Sequence, residues 1–198
     1  MSPRTEIQYD AIRQEKISLI MQTALELFAN FGYEATSISQ IARKADISKG
    51  LLYNYFESKE DLLQAILNKG IDEMMEIFDP NKDGVLEVSE LEFFINESLK
   101  QVEKNRIFWK LYMSVSLQPA VFSLIENRIE EIYQPIMKML IHYFRDAGFR
   151  NPASEAIMFG ALLDGITLDY VLKPDLFPLD HIKKELIDRY CKPKKIES

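Results

Sequence analysis

Residues 79–90, Asp-Pro-Asn-Lys-Asp-Gly-Val-Leu-Glu-Val-Ser-Glu, hold the most specific ligating pattern in the chain. A hard divalent cation such as Ca2+ takes about six to eight oxygen ligands, and a twelve-residue helix-flanked loop supplies them at fixed positions. Asp79, Asn81 and Asp83 stand at positions one, three and five, where side-chain oxygens are needed. Gly84 permits the bend at six, the Val85 backbone carbonyl ligates at seven, Glu87 at nine acts directly or through water, and Glu90 closes the shell with both oxygens. Leu86 fills the apolar eighth position. With the loop empty, Asp79, Asp83, Glu87 and Glu90 repel one another, offset only in part by Lys82, and a cation relieves that repulsion. The competing reading is an Asp- and Gly-rich turn that never meets calcium. A single loop of this kind is unusual, because such loops commonly work in pairs.

The second chemistry is recognition by hydrogen bonding. Ser48, Lys49, Tyr53, Asn54 and Tyr55 cluster on a segment too short to be anything but a small helix and its ends. Catalysis has little to stand on, since no nucleophile, base and orienting group can be proposed together. Cys191 is the single cysteine, so no internal disulfide forms, and with His142 and His181 as the two histidines no Cys/His zinc set exists. A reducing, cytoplasmic setting is the expectation. No uncharged run approaches the roughly 18 residues of a membrane span, and the N-terminus carries Arg4, Glu6, Asp10 and Arg13 where a signal peptide needs an apolar core.

The elements that position these residues read as helices throughout. Ile17, Ile20, Met21, Ala24, Leu25 and Phe28 form one helical stripe that stops near Gly32. Ser37-Ile38-Ser39-Gln40 is a capping box opening a second helix over 38–45. Asp46-Ile47-Ser48 breaks and recaps the chain into a third helix over 49–55, and Ser58 to Asp61 caps a fourth that runs to Phe78. Further helices are expected at 88–103, 105–117, 119–147, 152–172 and 179–191, broken at Asn105, Pro119, Gly148 to Pro152 and Pro174 to Pro178. No segment alternates strictly enough to compete as a strand. The expected fold is all-α.

Helices 38–45 and 49–55, joined by a tight turn and packed on a longer helix, fit the helix-turn-helix arrangement, in which the second helix enters the DNA major groove. Ile41, Ala42, Ile47, Leu52 and Phe56 can make the pair rigid from inside. A net charge of −7 argues against coating nucleic acid by bulk attraction, yet residues 36–59 place Arg43, Lys44, Lys49 and Lys59 against only Asp46 and Glu57. A plain helical hairpin with solvated Lys and Tyr is the alternative.

The run from Ala24 to Ile38, with Ile41-Ala42 and the stretch Ile47-Ser-Lys-Gly-Leu-Leu-Tyr-Asn-Tyr-Phe-Glu-Ser-Lys-Glu-Asp-Leu-Leu63, resembles the TetR family of bacterial transcriptional regulators over about residues 15–66. The resemblance implies a DNA-binding domain over 1–60 and a helical regulatory and dimerisation domain over 61–198. It implies a palindromic double-stranded operator, action usually as a repressor, and a small-molecule inducer whose pocket cannot be located from the sequence. By matching position, Lys49, Gly50 and Tyr53 look like the residues that approach base edges. Thr36, Ser37, Ser48, Asn54, Tyr55 and Lys59 look like phosphate contacts, which fix register without reading sequence.

The resemblance also makes residues 152–191 a homodimer interface. Gly160, Ala161 and Gly165 would allow close helix approach, and Ile157, Leu162, Leu168, Leu172, Ile182, Leu186 and Tyr190 would form its seam. The aromatic and Met residues of 105–172 could line an inducer pocket or simply fill a core. His142 reads as a core or surface histidine, and the tail from Lys192 is expected to fray. The alternative for the whole chain is a calcium-binding helical interaction protein whose DNA-reading surface has lost function.

Overall fold

The computed structural model describes residues 6–192, and among these every regular element is a helix. In chain order they are α1 (Glu6–Phe31), α2 (Ile38–Lys44), α3 (Lys49–Tyr53), α4 (Lys59–Phe78), α5 (Val88–Lys104), α6 (Arg106–Ser116), α7 (Pro119–Phe122), α8 (Glu126–Asp146), α9 (Pro152–Leu172) and α10 (Leu179–Tyr190). The expected tail beyond Lys192 lies outside the described residues.

One expected helix is two. The segment 119–147 is interrupted at 123–125, where Leu124 and Ile125 donate to the carbonyls three residues back, Val121 and Phe122, at 3.1 and 2.9 Å. That winds the turn to about three residues, tighter than the 3.6 of an α-helix. The Leu124 carbonyl is taken by Gln64 Nε2 at 2.8 Å. Burying both Val121 and Ile125 holds the tightened turn in place. The third helix is also shorter than expected, ending at Tyr53, with Asn54 as its cap.

The chain forms two compact units, and the first division falls inside α4. One unit comprises residues up to Lys69 together with Lys110–Ile125; the other comprises Gly70–Trp109 and Glu126 onward. In the first unit α1 packs on α2 and α2 on α3. Ile20, Ala24, Phe28, Ile41, Leu52, Leu62, Leu63 and Leu67 are buried there, with Leu111 and Val115 from α6. Apolar positions spaced three and four apart put these side chains on inward faces.

In the second unit α8 packs along α9, and α5 meets both α9 and α10. Its core is an aromatic knot around Phe144, whose ring lies 5.0–5.9 Å from those of Phe149, Phe159 and Tyr190. Edge-to-face pairs at such spacings add to the area they bury. Tyr143 donates its hydroxyl to the Tyr190 carbonyl at 2.7 Å, and burial pushes its phenol up to about 12. Much of the aromatic and Met set that could have lined a pocket is therefore core: Met139, Tyr143, Phe144 and Phe159 are all in this cluster. Gly70 is needed in α4 because the Phe108 ring occupies the space its Cβ would take, with Phe108 Cζ only 2.0 Å from that position.

Candidate nucleic-acid interface

The reading helix is held by caps at both neighbouring helix starts. Ser37 Oγ accepts the Gln40 N–H at 3.3 Å while Gln40 Oε1 accepts the Ser37 N–H at 2.7 Å, a reciprocal box that satisfies two amide groups at the start of α2. Ser48 Oγ accepts the Leu51 N–H at 3.0 Å and starts α3. The turn between them passes through Asp46 at φ 53°. A left-handed residue is what reverses the chain so tightly, and Asp tolerates that conformation better than most. The sequence marked the break but not this conformation, because the usual signal, Gly, is absent.

Buried Ile38, Ile41, Ala42 and Leu52, with Phe56 after α3, back the pair. Side chains on the opposite face are therefore presented by a firm support. Lys49, Gly50, Tyr53 and Asn54 are all exposed, Tyr53 at 45%. Lys49 Nζ lies 5.7 Å from the Tyr53 ring centroid, within range of a cation–π contact. Nothing lies within 4 Å of a Cβ placed on Gly50, so the backbone there is open to an approaching surface. Tyr55 is half-buried beneath Arg13, whose guanidinium carbon is 5.8 Å from its ring centroid.

Two of the expected phosphate contacts sit further inside. Thr36 is buried at 3% exposure, and its hydroxyl donates to the Gly32 carbonyl at 2.8 Å. Lys59 donates to the Tyr33 carbonyl at 3.0 Å, lies 4.2 Å from the Tyr33 ring centroid and is 3.9 Å from Glu34. Both brace the turn after α1. Lys44 pairs with Glu26 at 2.8 Å, tying α2 to α1, and this hydrogen bond holds the Glu26 carboxyl below its ordinary range. Ser39, which the sequence reading passed over, and Arg43, which it counted only for its charge, line a shallow cleft of about 520 Å3 together with Asp46, Ser48 and Lys49. Their spacing of four on α2 was the available signal.

The acidic loop of the second unit turns through two left-handed residues. Lys82 and Gly84 take φ 59° and 74°. Asp79 Oδ2 accepts the Gly84 N–H at 3.2 Å, Asn81 Oδ1 accepts that of Asp83 at 3.0 Å, and Asp83 Oδ1 accepts that of Val85 at 2.8 Å. Glu90 accepts the Glu87 N–H at 2.9 Å and an Asn81 amide hydrogen at 2.8 Å. Leu86 is buried in the aromatic core. Asp79 Oδ1 is buried without a hydrogen-bond partner, an oxygen that a cation would satisfy. Among the described residues no three His, Cys, Asp or Glu side chains are drawn together at metal-binding distance. The loop is thus shaped by its side chains accepting from its own backbone N–H groups, and the side chains of the types that Ca2+ takes as donors are Asp79, Asn81, Asp83, Glu87 and Glu90.

On α9, Ile157, Met158, Leu162, Leu168 and Leu172 are exposed, and a Cβ on Gly160 or Gly165 would meet open space. Leu186 and Tyr190, expected on the same seam, are instead buried in this chain's own core. No helix among the described residues is long and apolar enough to cross a membrane.

Residues 20–66 match the family of bacterial regulatory proteins of the TetR type. An uncharacterised helix-turn-helix regulator of Bacillus subtilis, YuxN, is 54% identical over 55 residues, covering 28% of this chain and 19% of that protein. IcaR of Staphylococcus epidermidis, a negative regulator of a biofilm operon, is 26% identical over 126 residues, 63% of this chain and 67% of that protein. Among solved structures, the fatty acid degradation regulator FadR of Bacillus halodurans superposes with a TM-score of 0.74 at 18% identity, over 90% of this chain and 99% of that one. A fatty acid metabolism regulator of Clostridium perfringens gives 0.70 at 22% identity, over 90% and 100%. These relatives are named as regulators rather than enzymes, and the all-helical fold is that of the two solved structures. The apolar-backed, doubly capped helix pair lies inside the matched segment, so residues 20–66 carry a helix-turn-helix domain of the kind found in TetR-type bacterial regulators.

Proposed function

We propose that this chain binds a palindromic operator as a homodimer and represses transcription. The observation that carries the reading is the exposed face of α3, where Lys49, Gly50 and Tyr53 stand on a rigid support inside the matched segment. Repression is supported by the relative IcaR, a negative regulator. Dimerisation is supported by the exposed apolar stripe of α9, since a C2 pair matches a two-fold symmetric site. Thr36, Ser37, Ser48, Asn54, Tyr55 and Lys59 position the helix, by touching phosphate or by bracing the turns that do. Titrating duplex DNA from the chain's own promoter region at several salt concentrations tests the reading. Affinity that falls steeply with salt and exceeds that for unrelated duplex is the expected result; equal, weak binding to both overturns it.

We further propose that the 79–90 loop binds Ca2+ through Asp79, Asn81, Asp83, the Val85 carbonyl, Glu87 and Glu90, and that the ion sets the angle between the end of α4 and the start of α5. The orphaned Asp79 Oδ1 supports it. A ligand shifts such an equilibrium only by its differential affinity for the two states. Calorimetric titration of chelator-stripped protein should show saturable binding, lost in Asp79→Asn and Glu90→Gln. No heat above buffer, with thermal stability unchanged by calcium, overturns it; equal operator affinity with calcium and with chelator overturns the coupling alone.

A further inference from the structure

Beside the acidic loop, inside the second unit, lies an open groove of about 880 Å3 whose walls are Gly84 and Val85 on one side and α8 on the other. Its volume is within the roughly 300–1,000 Å3 typical of small-molecule sites. On α8 the groove face is set by helical spacing. Gln134, Lys138, Ile141 and Arg145 follow one another by four, three and four residues, with His142 beside them. The floor is apolar, made by Pro135, Met137, Met139 and Ile141.

The charge of this lining has one sign. No Asp or Glu lines the groove, whereas Lys138 and Arg145 both do, and both are exposed. Among the described residues neither has a carboxylate at ion-pair distance; His142 alone has one, Asp146, 3.4 Å away. In a chain of net charge −7, two unpaired cations over a Met- and Ile-rich floor are an exception to the surrounding field. Guanidinium and ammonium groups favour a carboxylate, and flexible Met side chains adapt to an apolar body.

We propose that this groove binds a small amphiphilic carboxylate, its head on Lys138 and Arg145 and its apolar body along Met137, Ile141 and Val85. This names the chemical class of effector that the regulator reading calls for, and rests on that reading for its consequence at DNA but not for the binding. Gly84 and Val85 also belong to the acidic loop, so the ligand touches the segment that bends there.

The test uses the full chain without DNA, so its failure is separate from a failure of operator binding. The anionic dye 1-anilinonaphthalene-8-sulfonate reports the groove by fluorescence, and octanoate competes with it. Octanoate should displace the dye saturably while octanol at equal concentration does not. The double variant Lys138→Gln, Arg145→Gln should weaken octanoate about tenfold or more, the loss expected when a charge-assisted hydrogen bond is removed. A charge-matched control on α10, Lys183→Gln with Lys184→Gln, should leave affinity unchanged, and melting of both variants checks the fold. Equal displacement by octanol, or an equal loss in the control, overturns the proposal. So does binding to phosphatidylglycerol vesicles that depends on Lys138 and Arg145 while octanoate fails, which makes the groove a membrane contact.

Discussion

The two short turns that separate helices in the two units solve the same problem with opposite use of their polar side chains. Between α2 and α3 the chain passes through left-handed Asp46, and the hydroxyls of Ser37 and Ser48 meet the backbone at the helix starts. That leaves the side chains of Lys49, Tyr53 and Asn54 exposed on the outer face, Lys49 and Tyr53 touching each other. Between α4 and α5 the chain passes through left-handed Lys82 and Gly84, and Asp79, Asn81, Asp83 and Glu90 turn inward onto the loop's own N–H groups. A surface built to read another molecule keeps its polar groups uncommitted. A loop built around itself spends them locally and leaves a single orphan, Asp79 Oδ1.

Substitutions can break this contrast. The largest effect is expected at Leu86, the one loop side chain sunk in the aromatic core. Leu86→Ala should cost about 2–5 kcal/mol in urea unfolding, because a cavity is left in a packed interior. A cost under about 1 kcal/mol would mean that the loop is not pinned there. Next comes Lys49→Ala, which should weaken operator binding by about 1–3 kcal/mol if the side chain meets a base edge, with the melting temperature unchanged. An unchanged footprint and affinity would remove Lys49 from the reading face.

The remaining effects concern the turns themselves. Gly84→Ala places a Cβ at φ 74° and should destabilise by about 1–2 kcal/mol in thermal melts. Asp46→Gly should do the reverse and raise stability by a few tenths of a kcal/mol, since Gly removes a left-handed strain that Asp carries. Similar signs at both positions would show that backbone conformation does not control either turn. Ser48→Ala removes a cap and should cost about 1 kcal/mol, visible in the melt before it is visible at DNA.

What the sequence made legible follows from local physics. The stripe ending at Gly32, the Ser37 box and the Ser48 cap are written in spacings of three and four, and each is realised where it was expected. The loop's glycine and its buried Leu86 were legible for the same reason. Illegible were features decided by distant partners. Thr36 and Lys59 are of the right type to touch phosphate, but their burial against the turn after α1 depends on Gly32 and Tyr33 folding over them. The break at 123–125 depends on Gln64, about sixty residues earlier, taking a carbonyl. Leu186 and Tyr190 look like seam residues until Phe144 and Phe159 are placed beside Tyr190.

That break has a consequence for how the chain can be divided. It ends the stretch Lys110–Ile125, which belongs to the same unit as α1 to α3, so neither unit is continuous in sequence. Cutting after residue 60 or 69 would strip the reading unit of Leu111, Val115, Val121 and Ile125, four side chains buried in it. The DNA-reading part is therefore a poor cassette for transplantation. Exchange of reading specificity between such chains is better made by grafting the exposed face of α3 than by swapping an N-terminal fragment.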